Sequence, residues 1–129
     1  MAFNDPTDKN LRRMEVRRFL QRCEGQVALI QRADSLREIS RLTLLPLPYA
    51  VAEDYSARDN LRLVQTTAED RARELILEQI QGYLKADPMA HEKLRRTMFD
   101  SWANLTGALG HLRPWAQSKL TAAQQQAGI

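Results

Sequence analysis

Cysteine is nearly missing from this chain, with Cys23 alone among 129 residues, so no internal disulfide can form. Long apolar runs are missing too. None approaches the roughly 20 residues that a membrane-spanning helix requires, and no membrane association is expected. The N-terminus lacks a charged stretch followed by an apolar run and a cleavage site, which together with the lone thiol points to a reducing, cytoplasmic location. Glycine is scarce, and Gly25, Gly82, Gly107, Gly110 and Gly128 never stand in a strand-turn-helix context that could cradle phosphate. No Gly/Ser linker divides the chain, no repeat of 20–50 residues is visible, and no strand-like alternation competes with a helical pattern. A single domain over residues 1–129 follows, long enough to bury about two-thirds of the surface its unfolded form exposes.

What the sequence does have is helical periodicity, strongest from Thr67 to Leu112. Thr67 with Asp70 three residues on is a capping-box-like start. The helix it opens runs to about residue 86, with Ala68, Ala72, Leu75, Ile76, Ile80, Tyr83 and Leu84 on one broad arc. Asp87-Pro88 ends that helix and starts the next, because proline forces its predecessor out of the helical region yet fits the first helical position. From there Leu94, Met98, Trp102, Leu105, Leu109 and Leu112 form an unbroken stripe, which predicts a helix over 87–112. Phe99, Ala103, Thr106 and Gly110 lie on its opposite side, a surface suited to a second subunit or a partner helix. The expected fold is an all-α bundle of four to five helices, with 67–86 and 87–112 as an antiparallel pair at its centre.

Asp5-Pro6 repeats the same starting chemistry, with Asp5 as N-cap and Asp8 as a first-turn carboxylate favouring the positive end of the helix dipole. Val16, Phe19, Leu20, Cys23, Val27 and Ile30 then define an amphipathic helix to about Ala33, in which Gly25 marks the weakest point and the place for a break or bend. Ser35 and Glu38 form another capping box before a short helix that ends at Pro46. Leu47, Pro48 and Tyr49 make an extended apolar connector, read as a loop packed over the core rather than a proline-rich ligand. Over 50–64 a helix is predicted from Val51, Tyr55, Leu61 and Val64, against the weakening effect of Asp54, Ser56, Asp59 and Asn60. Pro114 opens one more short helix through Trp115 and Leu120, and residues 121–129 are expected as a polar, frayed tail.

Catalytic chemistry finds little support. His91-Glu92 opens like a zinc-protease helix, but the second histidine that motif needs four residues on is Arg95, and His111 lies far along the chain. Cys23 sits on an apolar stripe, where a thiol packs rather than reacts. Glu53-Asp54 and Glu69-Asp70 are adjacent pairs, not the i, i+3 or i, i+4 pairs that aim two carboxylates at one substrate. No enzyme activity, cofactor or metal is expected.

Net charge is +3, with an acidic middle between two mildly basic ends, and arginine outnumbers lysine 15 to 4. Arg12, Arg13, Arg17, Arg18 and Arg22 are the strongest nucleic-acid signal, since clustered guanidinium groups displace counterions from a phosphate backbone. They spread around most of the helical wheel, however, with Arg12 close to the apolar line, as on a solvated helix with snorkelling side chains. The function expected first is therefore a non-enzymatic protein-protein interaction module: a small cytoplasmic adaptor, inhibitor or assembly factor, self-associating, with a dimer favoured. The other expectation is a nucleic-acid-binding regulator or accessory protein using the arginine-rich first helix.

Overall fold

The computed structural model describes residues 6–129, with side chains from Lys9 onward. The expected Asp5 cap and Asp8 side chain lie outside the described residues. Five helices are present and, among those residues, no strand: α1 (Pro6–Arg32), α2 (Leu36–Leu42), α3 (Tyr55–Lys85), α4 (His91–Trp102) and α5 (Leu112–Ala127). Single 3-10 turns at Tyr49–Val51, Pro88–Ala90 and Gly107–Leu109 punctuate the connections. Among the described residues no helix is long and apolar enough to cross a membrane.

Helix α3 is the axis of the bundle and touches each of the other four helices. Three long helices run parallel. Arg71 Nε of α3 donates to the Ala33 carbonyl at the end of α1, while the start of α3 lies beside residues 12–20 of α1. Along α5 the numbers also rise together: Glu69 faces His111, Arg73 lies over Trp115, and Tyr83 Oη accepts from Gln124. Each parallel step needs a return path, and a short helix supplies part of it both times. α2 carries the first return and α4 the second, and the Ser40 hydroxyl of α2 donates to the Asn104 carbonyl just beyond α4.

The core is one cluster in which α1 contributes Phe19, Cys23 and Ile30, α3 contributes Val64, Ile76 and Ile80, and α5 contributes Leu112 and Leu120. Each such aliphatic or aromatic side chain stabilises the fold by about 1.5–3 kcal/mol relative to exposure. Ala57, Ala68 and Ala72 are also fully buried on α3. Their small side chains let neighbouring helices approach closely, which is how one helix can serve four partners.

Several boundaries differ from the sequence expectation. α3 does not start at Thr67: it starts twelve residues earlier, where the Asp54 side chain accepts from the Ala57 N–H at 2.9 Å. Thr67 Oγ1 instead donates to the Leu63 carbonyl, one turn back within the helix. Asp54 and Asn60 would weaken a helix interior, yet here they serve its first turns, Asn60 donating to the Ser56 carbonyl. The predicted 50–64 helix, from Tyr55 onward, and the predicted 67–86 helix are thus one continuous element, while residues 50–54 belong to the 3-10 turn and cap before it.

The predicted helix 87–112 is broken. Asp87 caps the Met89 N–H as expected, but after α4 ends at Trp102 the chain turns, and Gly107 adopts φ +55. Asn104 Nδ2 donates to the Asp100 and Ser101 carbonyls, and the Arg113 guanidinium donates to those of Leu105 and Ala103. These bonds hold carbonyls of the last turn of α4 and of the loop that follows it. The central pair is antiparallel, but only α4 forms it, with His91 against Tyr83 and Trp102 against Gln79. α1 passes Gly25 without a break, and α2 begins as expected with Ser35 Oγ accepting from the Glu38 N–H.

Residues 121–127, expected to fray, continue α5. They end in a left-handed glycine, Gly128, with the Ile129 N–H reaching back to the Gln124 carbonyl at 2.9 Å, a Schellman closure.

Candidate functional site

A groove of about 660 Å³ opens between the N-terminal half of α1 and the segment leading into α3. Arg12, Arg13, Val16, Arg17 and Leu20 form one wall; Tyr49, Ala50, Glu53 and Asp54 form the other. Helical spacing explains the first wall, since residues four apart share a face and residues 12, 16 and 20 form one ridge with 13 and 17 beside it. The second wall is held by three local devices. Val51 is buried and anchors the 3-10 turn, Pro48 is fixed in an extended conformation before it, and Arg58 Nε donates to the Ala52 carbonyl at 2.6 Å.

The groove divides the arginine cluster. Arg12, Arg13 and Arg17 enter it, and among the described residues none lies within 4.0 Å of a carboxylate. Arg18 and Arg22 do not line it, and Arg18 reaches Glu15 at 3.5 Å. Arg12 occupies the line of the buried stripe at the end where the core stops, so a position that would carry an apolar residue carries a guanidinium over the cleft. Across from it, the Asp54 carboxylate is committed to capping α3, whereas Glu53 has no hydrogen bond or ion pair among the described residues. Tyr49 is 99% exposed at the rim.

The four residues expected to form a partner-binding face are spread from α4 through the turn and the 3-10 segment after it, with Phe99 and Ala103 one helical turn apart and joined by the Ala103 N–H to the Phe99 carbonyl. Phe99 is on α4, 39% exposed, with its ring edge-on to Trp102 at 5.5 Å. Ala103 lies in the turn that follows, Thr106 precedes a 3-10 turn, and Gly110 follows it. The stripe on the other side behaves differently. Leu105, Leu109 and Leu112 are fully buried although the helix that predicted them is absent, because the turn folds back over the core.

The remaining candidates have structural surroundings. Cys23 is buried, and desolvation pushes its thiol pKa up, away from reactivity. His91 packs on the Tyr83 ring at 4.7 Å, and its Nε2 is buried with no hydrogen-bond partner among the described residues. His111 Nε2 lies 3.3 Å from Glu69, bridging α5 to α3. Among the described residues no three of His, Cys, Asp and Glu converge as metal ligands. No protein-family model matches the sequence, and no curated protein or solved structure matches the chain.

Sequence reasoning missed the second wall of the groove. Tyr49 was legible only as connector, Ala50 only as the start of the predicted 50–64 helix, and Glu53 only as half of an acidic pair within it. The signal that could have found the site was Arg12 on the apolar line of α1, which marks where that stripe leaves the core and becomes surface.

Proposed function

We propose that this chain is a non-enzymatic protein-interaction module, an adaptor, inhibitor or assembly factor, whose docking surface is the groove between α1 and the start of α3. The observation that supports it is the combination, in one concavity, of three guanidinium groups without carboxylate partners among the described residues and the half-buried side chains of Val16 and Leu20. Ligand sites pair an apolar lining with a few convergent polar groups, and this groove falls within their usual 300–1,000 Å³. Arginine and tyrosine are also the residue types enriched where interfaces concentrate their binding energy. Self-association through Phe99, Ala103, Thr106 and Gly110 is not part of the proposal, which rests on the groove alone. A cytoplasmic location belongs to the same reading, with Cys23 kept as a packed thiol.

A second reading, nucleic-acid binding, is favoured by Tyr49, because exposed aromatics beside cations provide stacking platforms for single strands. Glu53 and Asp54 on the facing wall oppose it.

Site-specific photo-crosslinking in the source cells tests the proposal. A photoreactive residue at position 49 should yield a covalent protein adduct, and one at position 118, on the exposed side of α5, should not. A nucleic-acid adduct at position 49 would replace the first reading with the second, and equal capture at both positions would remove the groove as the docking surface.

A further inference from the structure

Taking the groove as the docking surface, we infer that its occupant is an acidic amphipathic helix of a partner protein, with carboxylates against Arg13 and Arg17 and apolar side chains against Val16 and Leu20. The α1 wall consists of two adjacent ridges. Arg13 and Arg17 form one, separated along the axis by about 6 Å, one four-residue helical step. Arg12, Val16 and Leu20 form the other, apolar over most of its length. A helix laid along α1 carries the same spacings. Carboxylates at i and i+4 meet the arginine ridge, and apolar residues at i+3 and i+7 meet Val16 and Leu20.

Charge complementarity sets the sign of the occupant. Residues 5–22 carry Lys9, Arg12, Arg13, Arg17, Arg18 and Arg22 against Asp5, Asp8 and Glu15, a net positive stretch that speeds encounter with an acidic segment. Guanidinium groups bind carboxylates through paired donors, and the three in the groove have no carboxylate within 4.0 Å among the described residues. Glu53 distinguishes a protein helix from a nucleic acid. It faces the arginine wall and repels an unbroken row of phosphates, while a lysine or arginine on the far side of a helix satisfies it. The partner's pattern is therefore acidic on one edge, apolar at the centre and basic on the other edge.

The test is fluorescence anisotropy of the full-length protein with a labelled helical peptide of roughly 20 residues, about 30 Å long. The peptide carries Glu at i and i+4 and Leu at i+3 and i+7. Binding should weaken by at least about tenfold in Arg13→Glu/Arg17→Glu and far less in Arg18→Glu/Arg22→Glu, with the circular dichroism of both variants unchanged. Leu20→Ala should weaken it without altering its salt dependence. Equal losses in the two double variants, or displacement of the peptide by an oligothymidylate that binds more tightly at the same salt, would overturn the inference. If the peptide fails to bind while position 49 still crosslinks to a protein, the acidic helix is wrong and the docking surface stands. If both fail, both are wrong.

Discussion

The indole Nε1 of Trp102 donates to the side-chain oxygen of Gln79 at 2.9 Å, and the amide nitrogen of the same glutamine donates to Ser101 Oγ at 3.0 Å. One side chain of α3 thus holds the last turn of α4, where the chain must leave the helix and fold back. Trp102 is 4% exposed and its bond to the half-buried Gln79 is partly shielded from solvent. Gln79→Leu should cost about 1–3 kcal/mol by leaving the indole N–H unsatisfied, measured as a lower urea midpoint with an unchanged slope.

The start of α3 separates two readings of the sequence by experiment. Asp54→Ala should destabilise by about 0.5–2 kcal/mol, because it removes the side chain that caps the Ala57 N–H. Thr67→Ala, at the position that sequence pattern marks as the cap, should be neutral or slightly stabilising, since Thr67 sits inside the helix where alanine is preferred. Thermal denaturation of the two variants side by side checks this.

Glycine substitutions should split by sign. A Cβ at Gly25 or Gly82 would meet nothing within 4 Å, so alanine there should add about 0.5–1 kcal/mol of stability each. Gly107 has φ +55, a region that costs an L-residue about 1 kcal/mol or more, and Gly107→Ala should destabilise. Melting temperatures of the three variants would show two rises and one fall.

Burial of Cys23 raises its thiol pKa above the ordinary range in the folded state. The unfolded chain then releases its proton at a lower pH than the native chain does. Stability from this group is complete below the ordinary thiol pKa and falls as pH rises through the raised folded value. Denaturation midpoints should decline at alkaline pH, and Cys23→Ala, while less stable at neutral pH, should lack this part of the decline. A thiol reagent should label Cys23 only on unfolding.

The helical class was legible because stripes such as Phe19-Cys23-Ile30 and Ala68-Ala72-Ile76 repeat at helical spacing and are all buried. The stripe ending in Leu105, Leu109 and Leu112 shows where periodicity misleads: spacing identified which residues are buried but not the backbone that buries them. Gly107 could have warned of the turn. The Gln79 clasp and the Arg113 bonds to the Ala103 and Leu105 carbonyls are long-range or loop contacts with no sequence period. The same holds for topology. Two successive long-short-long passages are built without any visible sequence repeat, because burial requires only apolar residues of suitable size at the shared positions. Of the candidate site, the arginines of α1 were visible, but their division into three inside the groove and two outside depends on where the 49–54 segment lies.

Amide chemical-shift mapping tests the central claim most directly. The uniformly labelled protein would be titrated with the acidic helical peptide and shift changes assigned along the chain. Changes concentrated in residues 12–20 and 49–54 are the expected result. Changes centred instead on residues 99–110, with the α1 groove unmoved, would contradict the account and return the docking surface to Phe99 and its neighbours.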